Sequence, residues 1–475
     1  MASPAPASPP AKSSPQPGLK RALTLWGLIL YGIIVIQPVA PMSPFGAVSN
    51  RAQGHVVTAM LLAMVAMACT AFSYGRMARA YPSAGSAYTY VSREVHPVPG
   101  YLTGWAMAMD YVLNPLICTI VCSKLMLNYV QVVPYELWAI LFAAVFVGLN
   151  LVGIKTNAKI NALLAAFMGG VIVWILVAAA RYVMGLPAYP EGFFSKPFYD
   201  PQTFNMGALL GGTSIAVLTY IGFDGISTLS EEVEDPKRNV LLATVLTCLI
   251  VGGIAVLMCY AAQLVWLPEI TFAPEIIESA YVHVSGKMGG ALLFAVVNAT
   301  LLVATIGSGM ASLLGAARLL YGMGRDNAIP KRFFGFINER GVPRNNVLLI
   351  GGIALTGALL ASPALNAAVN AALGRQDISL MSFTRAVELL NFGALIAFIG
   401  VNAAAFIRYV VRDGDRSLSM VVPPIIGVGL CFYLWISLGQ VALIWGFTWS
   451  AIGFLYGLWV KRTSGKMTLG DMTEG

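Results

Sequence analysis

About twelve long apolar runs, near residues 23–48, 56–75, 99–128, 136–153, 160–185, 205–230, 239–264, 287–322, 346–362, 382–410, 419–438 and 441–460, constrain this chain more than any other feature. A helix of about 20 apolar residues crosses the hydrocarbon of a bilayer. Only helices or closed barrels satisfy every backbone N–H and C=O there. The runs are too long and too uniformly apolar for barrel strands, whose residues alternate between lipid and lumen. An all-α polytopic membrane protein is therefore predicted. Composition agrees, since 58% of the residues are hydrophobic and 11% charged, against roughly 25% charged in soluble domains.

The net charge of +8 does not point to nucleic acid, because no basic stretch is interleaved with base-stacking aromatics. It follows topology instead. With the N-terminus inside, 22 of the 29 Lys and Arg residues fall on the cytoplasmic side and 7 outside, the bias expected of inner loops. Both termini are then cytoplasmic and the plasma (cytoplasmic) membrane is the expected location. Residues 1–19 are rich in Pro, Ala and Ser and lack the charged start and apolar core of a signal peptide, so they read as a disordered tail that stays attached. Residues 462–475 read as a second cytoplasmic tail. All six cysteines fall inside apolar runs. Cys118 and Cys122, one helical turn apart, are read as packing residues rather than metal ligands. No cofactor or metal is expected. Nor is an enzyme, for no nucleophile–base pair, metal spacing or phosphate loop is present.

Two runs do not read as continuous helices. The first contains Gln37-Pro38-Val39-Ala40-Pro41-Met42-Ser43-Pro44-Phe45-Gly46. Three prolines there remove three backbone donors and clash with the preceding turns. The sixth contains Thr219-Tyr220-Ile221-Gly222-Phe223-Asp224-Gly225-Ile226-Ser227, an acid flanked by glycines deep in an apolar run. Backbone opened at membrane depth must face protein, water or a ligand. Five spans separate the start of the first from the start of the sixth, an odd number, so the second set runs inverted to the first. Paired interruptions in inverted repeats mark a transporter binding site. The expected organisation is a first five-helix repeat at 20–186, a second, inverted one at 204–412, and two further helices at 417–461.

Asp224 sits in the second break. Asp110 lies about 16 Å into the third span at 1.5 Å per residue, followed by Tyr111 and, a turn on, Asn114. A carboxylate at that depth is costly unless paired, solvated or protonated. One is read as holding a substrate ammonium and one as carrying a coupling proton, since a bound cation and a proton oppose each other there. For Asp110 the alternative is a tie between helices. Gln37, Ala40, Met42, Ser43, Phe45, Asp110, Tyr111, Asn114, Tyr220, Gly222, Phe223 and Asp224 form the expected substrate site, with Tyr31 and Trp105 as further aromatic candidates. Glu388 opens the tenth span as an outer-gate candidate. Glu231, Glu232, Glu234 and Asp235 face the inner arginines Arg76 and Arg79, an arrangement suited to a salt-bridged inner gate or to a solvated charge run. Asn391 and Asn402 are read as helix glue.

Three ordered motifs resemble those of the amino acid–polyamine–organocation superfamily: FSYGRMARAYPSAGSAYTY at 72–90, GFDGISTLSEEVEDPKRNV at 222–240 and ARLLYGMGRDNAIPKRF at 317–333. The likeness spans nearly the whole chain. It implies the inverted five-plus-five, leucine-transporter-like fold, alternating access, and a site between helices one, three, six, eight and ten. Within the superfamily the chain looks most like bacterial putrescine importers, through Gly104-Trp105, Asp110-Tyr111 and Pro115 in helix three and Asn391-Phe392-Gly393-Ala394-Leu395 with Asn402 in helix ten. It departs from the pattern of typical amino acid permeases, whose Gly-Ser-Gly break in helix one holds the substrate carboxylate with bare N–H groups. Pro41 and Pro44 offer none. Met168 stands where some members carry a proton-coupling lysine. Ser308 and Ser312 in helix eight are candidate sodium ligands.

These readings combine into an importer of a small amine-bearing solute lacking a carboxylate, such as a polyamine, organic amine or amino sugar. Its coupling ion is expected to be H+ in preference to Na+, with Asp110, Asp224, Ser308 and Ser312 as coupling candidates. Two alternatives stay open: an amino acid permease of the same fold, using the N–H groups of Ser43, Phe45 and Gly46, and a non-transporting membrane sensor or channel.

Overall fold

The computed structural model describes residues 23–81, 86–152, 158–229, 233–325, 329–338, 341–375 and 379–464. In chain order its helices are α1 (Leu25–Ile36), α2 (Phe45–Arg51), α3 (Val56–Ala80), α4 (Ser86–Glu94), α5 (Pro97–Leu127), α6 (Tyr135–Val152), α7 (Ala158–Met184), α8 (Met206–Ala216), α9 (Pro236–Trp266), α10 (Ala280–Arg325), α11 (Lys331–Phe334), α12 (Arg344–Leu360), α13 (Pro363–Leu373), α14 (Phe383–Phe406), α15 (Leu418–Ile436) and α16 (Gln440–Ser464). No strand is present among the described residues. Eleven segments are long and apolar enough to cross a membrane, and a twelfth arises if α12 and α13, bent by 56° at their junction, form one span. The chain is thus a polytopic, all-helical, multi-pass membrane protein.

Both expected breaks are present. α1 stops at Ile36, where Gln37 caps it with a positive φ of 70°. A short 3-10 turn at Ala40–Met42 follows before α2 resumes. In the sixth span α8 gives way at Val217 to a 3-10 turn, and a second 3-10 segment, Phe223–Leu229, carries Asp224. Gly222 lies between them at φ 119°, a conformation that side chains with a Cβ rarely adopt.

Two boundaries differ from the sequence reading. The eighth span starts earlier, at Ala280, because Gly290, at φ 69°, joins a short preceding helix to the span proper. The ninth is followed by α13, a surface helix capped by Ser362 at its start and by Gly374 in the left-handed region at its end. Its short Ala- and Asn-rich repeat gave no strong apolar signal.

α5 runs through the middle of the bundle, packed against α4, α6, α10, α12 and α14. Helices in lipid associate through close packing and interhelical hydrogen bonds more than through the hydrophobic effect. Gly393 shows the first: a Cβ there would run into the Ala106 carbonyl of α5. Asn402 shows the second. It donates to Thr70 Oγ1 at 2.9 Å and accepts from Ser73 Oγ at 2.7 Å, pinning α14 to α3. Asn391 donates to the Ser214 carbonyl of α8 at 2.6 Å. Both asparagines serve as the interhelical ties expected of them.

Candidate functional site

The two breaks open onto one cavity of about 550 Å³. α1 and its break supply Tyr31, Gln37, Ala40 and Ser43; α5 supplies Asp110, Tyr111, Asn114 and Cys118; the sixth span supplies Gly222 and Asp224; α7 adds Met168 and α10 adds Ser308 and Ser312. The cavity reaches the surface beside α1, where Tyr31 and Val35 are exposed. At the opposite end α2 is strapped down. Asn50 exchanges two hydrogen bonds with the Phe272 backbone, at 2.7 and 2.8 Å, and Ser49 donates to the Ile270 carbonyl at 2.8 Å.

The breaks position the chemistry. Gln37 donates its side-chain amide to the Ala304 carbonyl of α10 at 2.9 Å, bridging the gap that the prolines leave. Asp224 turns back on its own loop: the Gly222 N–H donates to its Oδ1 at 3.2 Å, and its carbonyl accepts from Ser227 Oγ at 2.6 Å. The carboxylate is therefore held in place by backbone before any ligand arrives. Asp110 faces the same space from α5. Among the described residues that line this cavity there is no Lys, Arg or His.

Ten of the expected residues meet there: Gln37, Ala40, Ser43, Asp110, Tyr111, Asn114, Gly222, Asp224, Ser308 and Ser312. Four do not. Met42, Phe45, Tyr220 and Phe223 are fully buried away from it. Phe45 packs edge-on against Phe272 and Tyr281. Tyr220 donates to the Met60 carbonyl at 2.9 Å. Phe223 joins Tyr74 and Phe398 in an aromatic cluster. Met42, Tyr220 and Phe223 each adjoin a lining residue and Phe45 lies two positions from Ser43, and a tight turn sends nearby side chains to different faces. Trp105 stacks on Trp449 of α16 and exchanges indole-to-carbonyl hydrogen bonds with it. Cys118 sits at the cavity wall with its thiol 3.5 Å from Asn114 Oδ1.

The gating candidates sit apart from this cavity. Glu388 lines a shallow depression with Arg51, Arg385 and Gly439 at the far end of the bundle. Glu231 lies outside the described residues. Arg76 rests over the Phe72 ring at 5.1 Å, Arg79 is exposed, and neither forms an ion pair with another described residue. The acid that organises that end is Glu94 of α4, a residue the sequence reading passed over. Its fully buried carboxylate lies 2.7 Å from Arg412 Nη1 and 3.8 Å from Arg408 Nε, in the π-helical turn Ile407–Arg412, and accepts from the Tyr81 hydroxyl. Nothing in the Ser-Arg-Glu run distinguishes Glu94 from a solvated loop acid; the fold alone buries it.

A broken-helix cavity inside a multi-pass bundle is the architecture of a membrane solute transporter. The family model described as amino acid permease matches residues 42–397, and the chain belongs to this family, within the amino acid–polyamine–organocation superfamily. Over 463 residues it is 32% identical to the low-affinity putrescine importer PlaP of Escherichia coli (strain K12), covering 92% of this chain and 93% of the relative. Over 431 residues it is 25% identical to the mitochondrial cationic amino acid transporter 3 of Arabidopsis thaliana, covering 84% of this chain and 64% of the relative. The family and these relatives are transporters, not enzymes.

Proposed function

We propose that the chain imports a small organic amine without a carboxylate, by alternating access coupled to protons, across a plasma membrane with both termini cytoplasmic. One observation carries the reading: among the described residues, two carboxylates and no cationic side chain line the cavity. Such a site attracts an ammonium and offers no ionic partner to a carboxylate. The prolines of the first break support it. Of the three residues whose N–H groups would hold an amino acid carboxylate, Ser43 lines the cavity while Phe45 and Gly46 do not. The naming of one relative as a putrescine importer agrees with an amine cargo, and that of others as cationic amino acid transporters keeps the amino acid reading as the rival. Domain organisation as two inverted repeats, 20–186 and 204–412, with 417–461 outside them, belongs to the same proposal.

Thermal shift of the purified protein, followed by uptake in proteoliposomes, tests it. A ligand that binds only the folded state raises apparent stability by mass action. Diamines, monoamines and amino sugars should stabilise the protein, and a proton gradient should drive their saturable uptake. Stabilisation by free amino acids alone would return the protein to the ordinary amino acid permeases. A flux that never saturates would mean a channel.

A further inference from the structure

We propose that His55 is a proton-sensitive fastener for the 185–205 loop, which joins α7 to α8. Both ring nitrogens of this buried residue are used. Nδ1 lies 3.0 Å from the Ala52 carbonyl, which only accepts, so Nδ1 carries the hydrogen. Nε2 then has a lone pair, and it accepts the Asp200 N–H at 3.0 Å. The ring is neutral in this arrangement, and the loop hangs on its lone pair.

Protonation reverses that bond. A second N–H on the ring would face the Asp200 N–H, donor against donor. His55 also caps the start of α3, where the helix dipole opposes a positive charge. Of the groups around it, only the Asp200 carboxylate could compensate. On α2, Arg51 is drawn over Gly211 of α8. On α3, Thr58 is neutral and donates to the Phe198 carbonyl at 2.6 Å. On the loop itself, Asp200 Oδ2 lies 3.7 Å from Lys196 Nζ, and Tyr199 and Phe204 flank the ring. On the 267–276 segment, Glu269 pairs with Lys287 at 3.8 Å and Glu275 is exposed. The near alternative is the Asp200 carboxylate, which a protonated ring would draw away from Lys196. The fastener thus has two discrete arrangements: a neutral ring on the Asp200 backbone, or a charged ring on the Asp200 side chain.

The loop ends at Asn205, which caps α8, the helix leading to the Asp224 break. Exchanging the Asp200 backbone bond for its side chain therefore loosens the loop at the start of that helix. In the proposed orientation His55 faces the outside, so the signal is external acid.

Hydrogen exchange on the purified full-length protein tests this without any need for transport activity. Protection of the 198–204 amides, corrected for intrinsic exchange, should be lost progressively on acidification of the wild type. His55→Gln, whose amide oxygen accepts without titrating, should keep its protection through the same range. Unchanged wild-type protection on acidification would overturn the proposal, as would equal loss in the variant. Should His55→Gln fail to fold, nitrogen NMR of the wild-type ring decides, in a chain with only three histidines. The neutral ring must be the Nδ1–H tautomer and must titrate in step with the loss of protection. An Nε2–H tautomer, or titration out of step, refutes it.

Discussion

At the scale of single residues, Asp224 and Gly222 act as a pair. Gly222 at φ 119° lets the chain double back so that its N–H meets the Asp224 carboxylate. A carboxylate fixed in this way loses little freedom when a cation arrives, which is the advantage of preorganisation. Asp224→Asn removes the charge and keeps the shape. Removing one partner of a desolvated charge pair costs about 2–5 kcal/mol. Amine-dependent thermal stabilisation should therefore disappear in this variant at concentrations that saturate the wild type, while the ligand-free midpoint changes little. An undiminished shift would move the ammonium site to Asp110. Gly222→Ala should instead lower the ligand-free midpoint, because a strained backbone conformation costs about 1–3 kcal/mol and the new methyl would sit 3.2 Å from Val35 Cγ1. A midpoint equal to wild type would mean that the turn tolerates a Cβ and that the glycine is not required.

At the scale of elements, the junction of α4 with the end of α14 rests on an uneven ion cluster. Glu94 is completely buried, whereas the Arg412 side chain is 48% exposed and that of Arg408 is 35% exposed. The charges therefore differ in what their removal leaves behind. Without Glu94, water reaches both guanidiniums. Without Arg412, a buried carboxylate keeps only the longer Arg408 contact as an ionic partner, beside the neutral Tyr81 hydroxyl, and a poorly compensated buried charge is the expensive case. Arg412→Met should accordingly destabilise the protein more than Glu94→Gln, which retains a partner for Tyr81. Thermal midpoints of the two purified variants check this, and the reverse order would show that the cluster is governed by exposed pairing instead. The same reasoning covers the asparagine ties. Asn402 is buried and bonded on both its amide atoms, so it specifies how α14 meets α3.

At the scale of the whole molecule, the cavity opens beside α1 while α2 is strapped closed at the other end. In the proposed orientation, with the N-terminus in the cytoplasm, this would be an inward-facing arrangement. A membrane-impermeant thiol reagent applied to intact cells should therefore miss a cysteine placed in either terminal tail, on a background from which the native cysteines have been removed. It should label one placed at position 190 in the 185–205 loop. Labelling of the tails would invert the topology and, with it, the direction of the proposed import.

The sequence by itself determined the membrane class, the spans and the two breaks. Apolar length, proline and glycine are local properties, and lipid offers no alternative partner for backbone groups that would blur them. It also located both cavity acids, because a carboxylate inside an apolar run is conspicuous. The tertiary structure decided which neighbours of those acids face the cavity. Ser43 and Asp224 line it while Phe45 and Phe223 turn away, since side-chain direction in an open turn follows from dihedral angles that no periodic pattern encodes. It likewise decided which loop charges matter. Glu94 and His55 are unremarkable in the chain, and they become buried only because α14 and the 185–205 loop fold over them. Burial of a polar group is a property of its surroundings, and those come from residues about a hundred or more positions away.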